Sequence, residues 1–252
     1  MDTRLSKRQE NLLNFIIKEY VHTAKPVPSV LVLRKTKLKV SSATIRNDMN
    51  NLEEQGFLIQ RHTSGGRIPT DKAYRFYVNQ LLTKPVQVVI NSQDRQSIAA
   101  ALAKAGKNPR AINKAIANTL SERSGNLVIT GIAQDAEFFK QGLVSLLRHP
   151  EFHEFKDLFQ LAGFFEGFDC MFQLIEREFF NTIGPPAGLP IQILVGHENP
   201  FQQIKGETVM CTKYLLPDDV IGSLTLIGPT RMDYEKNISL IKYVTEELNK
   251  LY

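Results

Sequence analysis

The first third of the chain consists of short segments in which apolar residues recur at helical spacing, separated by polar breaks. Leu12, Leu13, Ile16 and Ile17 have this spacing and predict a first helix. The pattern then predicts a second helix capped by Ser29, a third helix, a glycine-turned hairpin and a fourth helix capped by Thr70; they span residues 29–38, 41–56, 57–69 and 70–82. Three compact helices, a hairpin and a closing helix predict a winged helix-turn-helix.

The remaining two thirds of the chain predict an α+β arrangement. Alanine-rich helical segments come first, followed by GNLVITGIA and by a predicted helix around AEFFKQGLVSLL. Strand candidates IQILVG, TVMCTKYLL and IGSLTLIG come late, and YEKNISLIKYVTEELNKLY predicts a last amphipathic helix. Helices followed by late strands with short turns favour helices packed on an antiparallel sheet.

The third predicted helix has an unusually polar outer face. Ile45, Met49 and Leu52 form its apolar stripe, and Ser41 is placed as its N-cap. Asparagine loses roughly 0.5 kcal/mol of helix propensity relative to alanine, so Glu or Lys would suit a merely solvated face better. Arginine and asparagine can instead read base edges in the major groove. The segment therefore predicts a DNA-reading helix, whose contacts we assign to Ser41, Ser42, Ala43, Thr44, Arg46, Asn47, Asn50 and Asn51.

The predicted hairpin carries basic and small polar residues around a pair of glycines. Two glycines allow the positive φ angles of a tight turn, and flanking arginines suit contact with phosphates or a minor groove. We therefore predict that this wing also contacts DNA, through Arg61, His62, Thr63, Ser64, Gly65, Gly66 and Arg67.

The charge of the chain is unevenly distributed. Residues 1–84 contain 15 Lys and Arg against 7 Asp and Glu, whereas the other 168 residues contain 16 against 19. A basic first third predicts a polyanionic partner, which charge alone leaves open among DNA, RNA and an anionic membrane. No apolar run approaches the roughly 18–20 residues of a membrane span. With 2 cysteines and no signal-peptide pattern, we expect a cytoplasmic protein without a membrane partner.

No enzyme motif is visible, since GxSxG, P-loop and HExxH patterns are all missing, and we expect neither catalysis nor a cofactor. His149 and His153 are four residues apart, but the intervening Pro150 disfavours a helical metal site. The segment IGPTRMDY favours a structural interpretation, in which Thr230 caps a helix and Arg231 holds a carboxylate or carbonyl. The phenylalanines between 152 and 180 predict core or interface positions.

Several motifs of the chain resemble the heat-inducible transcription repressor family HrcA. The N-terminal ones are ATIRNDM, HTSGGR and PTDKAYRFYV, and the downstream ones are LLRHPEF, VGHEN and IGPTRMDY. The resemblance implies a homodimeric repressor that binds an inverted-repeat operator in double-stranded DNA upstream of chaperone operons. It also implies that a GroEL-type chaperonin maintains DNA binding. It places Ser42, Thr44, Arg46 and Asn47 on the recognition helix and Arg67 in the wing.

The middle of the chain departs from the family pattern. GNLVITG runs almost directly into IAQDAEFFKQGLVSLLRHPEF, where the family has a longer stretch with an inserted dimerising domain. We therefore expect a shortened form with a reduced GAF-like domain. The expected organisation is a DNA-binding winged helix over 1–84, a linker or helical connector over 85–126 and a GAF-like regulatory and dimerisation domain over 127–252. The alternative is a winged-helix regulator whose C-terminal domain senses a small effector.

Overall fold

The computed structural model divides the chain into two compact units, Met1–Pro85 and Val86–Tyr252. The structure describes residues 5–36, 40–60, 65–83, 90–132, 137–153, 159, 162–164, 166–167 and 191–251. No helix within these ranges combines the length and the hydropathy needed to cross a membrane.

The first unit is a winged helix-turn-helix, as predicted. Its first helix starts at a capping box, because the Ser6 hydroxyl accepts from the Gln9 N–H at 3.3 Å and the Gln9 side chain accepts from the Ser6 N–H at 3.0 Å. The elements are α1 (Lys7–Thr23), α2 (Ser29–Lys35), α3 (Ser42–Glu54), β1 (Leu58–Ile59), β2 (Ile68–Pro69) and α4 (Asp71–Thr83). β1 and β2 pair antiparallel, with Ile59 opposite Ile68.

The apolar stripes that predicted α1 and α3 form the core of the first unit. Leu13 and Ile17 of α1 are fully buried, as are Ile45 and Leu52 of α3 to within 1%. α1 packs against α3 and α4. Burial of apolar area is the main term that stabilises the folded unit. The side of α3 that carries the apolar stripe therefore faces the core, and the opposite side faces outward.

The start of α2 differs from the prediction. Ser29 was expected to cap this helix, but the cap position is occupied by Pro28 and no side chain accepts a hydrogen bond there. Proline is tolerated at a helix start because the N–H that it lacks would have no partner within the helix. By contrast, Thr70 lies at the expected place before α4, where its hydroxyl accepts from the Ala73 N–H at 3.4 Å.

The second unit places helices on an antiparallel sheet, as the sequence predicted. The elements are α5 (Ser92–Ala105), α6 (Pro109–Ser124), β3 (Leu127–Ile132), β4 (Glu137–Gln141), α7 (Leu143–Leu147), β5 (Gln192–Val195), β6 (Glu207–Leu215), β7 (Ile221–Pro229) and α8 (Tyr234–Leu251), with short 3₁₀ turns at Pro150–His153, Gly196–Glu198, Gln202–Ile204 and Pro217–Asp219. The strand order is β4-β3-β7-β6-β5 and every pairing is antiparallel. In the middle of the sheet, Leu127 of β3 lies opposite Ile227 of β7.

The segment AEFFKQGLVSLL, which was predicted as one helix, forms a strand and a short helix instead. Glu137–Gln141 pairs along β3, and only Leu143–Leu147 is helical. Gly142 separates the two elements with a φ of 101°, a conformation that an L side chain rarely adopts. Pairing with the buried strand β3 therefore outweighs the local helical pattern.

Within the stretch 85–126, expected to be a linker or helical connector, residues 92–124 form α5 and α6 of the second unit. These two helices pack against each other and against α8, and α6 also packs on β3. Ile98 and Leu102 of α5 and Ile112 and Ile116 of α6 are buried. The helices therefore share the apolar core of the unit that follows them in the chain.

Three of the phenylalanines between 152 and 180 lie in the described residues. Phe152 and Phe164 are buried in a cluster with Leu127, Val209 and Ile227, which confirms core positions for both. Phe159 is 69% exposed. The other six lie outside the described residues: Phe155, Phe165, Phe168, Phe172, Phe179 and Phe180.

Candidate nucleic-acid interface

The outer face of α3 has the unusual polar composition noted in the sequence, and the structure leaves this face uncovered in the first unit. Buried residues of α3 are Ile45, Asp48, Met49 and Leu52. The exposed positions include the five residues predicted to project outward, which are Ala43, Arg46, Asn47, Asn50 and Asn51.

The first turn of α3 is fixed by its cap. The Ser41 hydroxyl accepts from the Thr44 N–H at 3.1 Å and lies 2.9 Å from the Thr44 hydroxyl oxygen. Ser41 is exposed, whereas Ser42 and Thr44 are half-buried. A capped N-terminus with exposed N–H groups suits an anion such as a phosphate.

The polar side chains of this face differ in their partners. Arg46, Asn47 and Asn51 make no side-chain hydrogen bond to another described residue. Asn50 differs, because its Oδ1 accepts from Nη2 of Arg67 at 2.8 Å. Arg67 Nε also lies 2.8 Å from Glu53 Oε2, and its side chain is only 16% exposed. Arg67 therefore faces α3.

The described base of the hairpin is tied to the segment before α2. Arg67 and Val27 exchange two backbone hydrogen bonds of 2.9 Å each. A Cβ on Gly66 would lie 2.4 Å from the Val27 carbonyl carbon, so this approach requires glycine. Gln60 donates from Nε2 to the Gly65 carbonyl at 3.2 Å. The remaining predicted wing residues, Arg61, His62, Thr63 and Ser64, lie outside the described residues.

A cleft of about 420 Å³ lies between the hairpin base, the start of α2 and the outer face of α3. Its lining includes Val27, Pro28, Ser29, Arg46, Asn50 and Arg67. The structure thus brings two of the predicted residues of α3, Arg46 and Asn50, to one concave surface with the hairpin base, whereas the other predicted residues of α3 do not line this cleft.

The buried carboxylate of Asp48 joins α3 to α1, and this contact was not predicted from the sequence. Arg8 of α1 donates two hydrogen bonds to this carboxylate, from Nε to Oδ2 at 2.6 Å and from Nη2 to Oδ1 at 2.9 Å. This hydrogen bond and the negative charge of Asp48 raise the pKa of Arg8. The available signal was the position of Asp48, since it falls on the apolar stripe between Ile45 and Leu52.

Replacing Asp48 with alanine is expected to destabilise the first unit by about 1–3 kcal/mol, because a buried carboxylate loses its bidentate ion pair with a partly exposed arginine. The half-exposed Arg8 regains water, which keeps the loss below that of a fully buried pair. Hydrogen exchange of the α1 and α3 amides measures the change. Glu54→Ala at an exposed position of α3 is the control, and an equal loss there would contradict a special role for Asp48.

The downstream motifs form structural contacts in the second unit. Arg231 donates from Nε and Nη2 to the two carboxylate oxygens of Glu151, as a carboxylate partner was expected. His149 Nε2 lies 3.1 Å from the Gly125 carbonyl oxygen. Asn199 Nδ2 lies 2.7–3.1 Å from three backbone carbonyl oxygens.

The expected cap at Thr230 is wrong. α8 begins at Tyr234, and Asp233 accepts from the Lys236 N–H at 3.0 Å. A turn in which the Met232 N–H bonds the Pro229 carbonyl at 2.8 Å carries the chain past Thr230 before the helix starts.

Buried polar side chains beneath α6 are bonded to one another. The Tyr214 hydroxyl donates to Asn113 Oδ1 at 2.5 Å, and Asn113 Nδ2 donates to the Gly131 carbonyl at 3.1 Å. The Thr130 hydroxyl donates to the Asn113 carbonyl at 2.9 Å. Burial raises the pKa of Tyr214, so the phenol keeps the proton that it donates. These groups stabilise the sheet–helix contact.

Models of known families match segments of both units. A family model described as HrcA protein C terminal domain matches residues 74–238. A model described as DeoR-like helix-turn-helix domain matches residues 35–72, which contain α3 and the hairpin.

Full-length relatives align over nearly the whole chain. Heat-inducible transcription repressor HrcA of Acetivibrio thermocellus is 28% identical, over 98% of this chain and 96% of that protein. The protein of the same name from Thermoanaerobacter pseudethanolicus is 29% identical, over 98% and 97%. The first alignment has 345 positions against 252 residues here, so at least 93 positions have no counterpart in this chain.

A solved structure shares the fold of the chain. A crystal structure of a hypothetical protein superposes with a TM-score of 0.78 at 20% identity, and covers 98% of each chain. At this identity the likeness shows the fold alone.

Proposed function

The chain belongs to the HrcA family, and we propose that it represses transcription by binding DNA through the outer face of α3. The proposal rests on the polar side chains that this face exposes. Arg46, Asn47 and Asn51 are exposed, without a side-chain hydrogen bond to another described residue, on a helix whose other side is anchored in the core. Such donors and acceptors on a capped helix are suited to base edges in a major groove.

The proposed binding unit is a homodimer on an inverted repeat. One small winged helix reads few base pairs, and a two-fold dimer places two copies of α3 in major grooves about 34–36 Å apart. The half-sites then follow the symmetry of the protein. Repression acts by occupancy, because a dimer on the operator hinders transcription initiation.

The proposed contacts follow the residues assigned from the sequence. Arg46, Asn47, Asn50 and Asn51 are assigned to base edges, and Ser41, Ser42, Ala43 and Thr44 to the helix start near a phosphate. Hairpin residues 61–66 are assigned to the flanking backbone and minor groove, and the side chain of Arg67 contacts Asn50 and Glu53 of α3. The cleft supports this arrangement, because it joins Arg46 and Asn50 to the hairpin base.

The proposed signal is heat, transmitted through a GroEL-type chaperonin. The relatives carry the words heat-inducible in their names, which supports control by temperature. Under this proposal the chaperonin keeps the repressor competent to bind, and its recruitment by unfolded protein relieves repression. Operator binding at fixed salt, measured with and without chaperonin after mild heating, tests it. Equal binding in both arms would contradict it.

Replacing Arg46 with alanine is expected to weaken binding to the preferred inverted repeat by about 1–3 kcal/mol and to relax base preference at one position. The reason is the loss of a guanidinium able to bond both acceptors of a guanine. The measurement is titration of a duplex enriched by the wild-type chain from a random-sequence pool, against its single-substitution variants.

The matched control for this titration is Arg148→Ala, which removes the same charge from an exposed position of the second unit. It is expected to leave base preference unchanged. If Arg46→Ala lowers affinity equally for the enriched and the scrambled duplexes, its role is confined to phosphate.

A further inference from the structure

We infer that Arg67 is a positioning residue, which holds the amide of Asn50 in one orientation and thereby sets base preference at one position of each half-site. The inference rests on the proposed DNA binding through α3. It gives Arg67 a role different from the phosphate contact that its place in the hairpin predicted.

The backbone of Arg67 is held in place independently of its side chain. Two hydrogen bonds of 2.9 Å join it to Val27, and Gly66 lets the two backbones approach this closely. On its other side, Ile68 and Pro69 continue into β2, which pairs with β1. The guanidinium therefore starts from a well-defined point beside α3.

The side chain of Arg67 bridges two residues one turn apart on α3. Nε lies 2.8 Å from Glu53 Oε2, and Nη2 donates to Asn50 Oδ1 at 2.8 Å. Residues three apart on a helix are neighbours on one face, so the planar fork of one arginine reaches both. Glu53 is 34% exposed and Arg67 is 16% exposed, so water competes only in part for this contact.

This contact decides which way the Asn50 amide is turned. A guanidinium has only donors, so the atom that faces Nη2 must be the amide oxygen. Rotation of the amide by half a turn would place its NH₂ group against the guanidinium and lose the hydrogen bond. Asn50 remains exposed, so its NH₂ group is presented in a set direction before DNA arrives.

Asn47 and Asn51 on the same face provide the contrast. Both are exposed, and neither has a side-chain hydrogen bond to another described residue. Their amides are turned only when DNA binds, at a cost in side-chain entropy. Among the described contacts of these three asparagines, the one that orients an amide from the hairpin is that of Asn50 with Arg67.

The experiment measures the base preference of full-length variants. The probes are the inverted-repeat duplex enriched by the wild-type chain from a random pool and its single-base-pair substitutions. Asn50→Ala identifies the base pair that Asn50 reads. Arg67→Ala is expected to lower discrimination at that same base pair by about tenfold. The double variant is expected to lose no more discrimination than Asn50→Ala alone, since positioning requires its target.

Two further variants separate positioning from charge. Arg67→Lys keeps the positive charge but lacks the planar fork that spans Glu53 and Asn50, so it is expected to lose part of this discrimination while the salt dependence stays unchanged. Glu53→Gln leaves Arg67 in place and is expected to give a smaller loss at the same base pair. These two variants decide the matter if Arg67→Ala fails to fold. Base pairs read by Asn47 or Asn51 are expected to be unaffected throughout.

Several outcomes would overturn the inference. Equal loss on all duplexes, with a salt slope reduced by about one, would make Arg67 a phosphate contact. Losses from Arg67→Ala and Asn50→Ala that multiply would make the two residues independent. Enrichment of no sequence by the wild-type chain would remove the proposed function itself, whereas enrichment with unchanged preference in the Arg67 variants would remove only this inference.

Discussion

Replacing Asn199 with alanine is expected to lower the free energy of unfolding of the second unit by about 3–5 kcal/mol, since the Ile204 and Glu207 carbonyls lose this side-chain donor, whereas the Gly196 carbonyl keeps the backbone N–H of residue 199. Asn199 is 2% exposed, and its Nδ2 lies 2.9 Å from the Gly196 oxygen, 3.1 Å from the Ile204 oxygen and 2.7 Å from the Glu207 oxygen. The amide has two hydrogens for three acceptors, so one hydrogen is shared.

The Glu207 carbonyl illustrates why this donor matters. The residue opposite Glu207 in β7 is Pro229, which has no N–H to donate. The asparagine side chain therefore joins the loop after β5 to the first residue of β6. Alanine at this position removes the side-chain hydrogen bond that ties the loop of the VGHEN motif to the start of β6.

Hydrogen exchange followed by mass spectrometry is the appropriate measurement, because it reports opening of each unit separately. Asn249→Ala provides the control, since it makes the same chemical change at an exposed position of α8. Asn199→Asp keeps the shape but removes both donors, and it is expected to be at least as destabilising as alanine. Faster exchange in β5 and β6 for Asn249→Ala as well would show that the effect is not specific to Asn199.

Replacing Gly66 with alanine is expected to destabilise the first unit by about 3 kcal/mol, at the upper end for overpacking. The new Cβ would lie 2.4–2.6 Å from backbone atoms of Pro26 and Val27, which cannot rotate away as a side chain does. The chain must then separate at the Val27–Arg67 bridge. Operator affinity is expected to fall more than tenfold, because the hairpin base loses its place beside α3.

Gly206→Ala is the matched control for this substitution. A Cβ on Gly206 meets no atom within 4 Å, and its φ is not positive, so its effect is expected within about 0.5 kcal/mol. Thermal unfolding and duplex titration of both variants compare the two positions. A Gly66→Ala chain with wild-type stability and affinity would show that the hairpin base adapts to a side chain.

The parts of the fold with strong local signals were predictable from the sequence. The stripe of Ile45, Met49 and Leu52 predicted both the helix and the side that it buries, so the exposed face followed directly. The antiparallel sheet followed from apolar strand segments separated by turn residues. In these segments the local preference and the tertiary packing agree.

The mispredicted elements are those in which a helical signal competes with strand pairing or with a turn. Glu137–Gln141 has a helical pattern, but pairing with β3 makes it a strand. Thr230 is a good cap residue, but the turn at Pro229 moves the helix start to Tyr234. Both deciding contacts are close in sequence, since β3 ends shortly before Glu137 and Pro229 directly precedes Thr230. Each segment therefore fits two local structures, and its packing in the fold selects one of them.

In the candidate site, the exposure of residues was predictable from the sequence, whereas the partners of their side chains were not. Exposure of Arg46 and Asn47 follows from helical spacing alone. The direction of the Arg67 side chain depends on Glu53 and Asn50, and burial of Asp48 depends on Arg8. A charged residue on an apolar stripe signals a partner, but the sequence does not say which one.

The pairing of β3 with β7 has a consequence for the order in which the chain acquires its structure. Leu127 meets Ile227 across about a hundred intervening residues, so the central strand of the second unit waits for nearly the whole chain to leave the ribosome. The first unit has all its strand partners within its own 85 residues. During synthesis, we expect the surface proposed to bind DNA to be complete while the second unit is still an open chain.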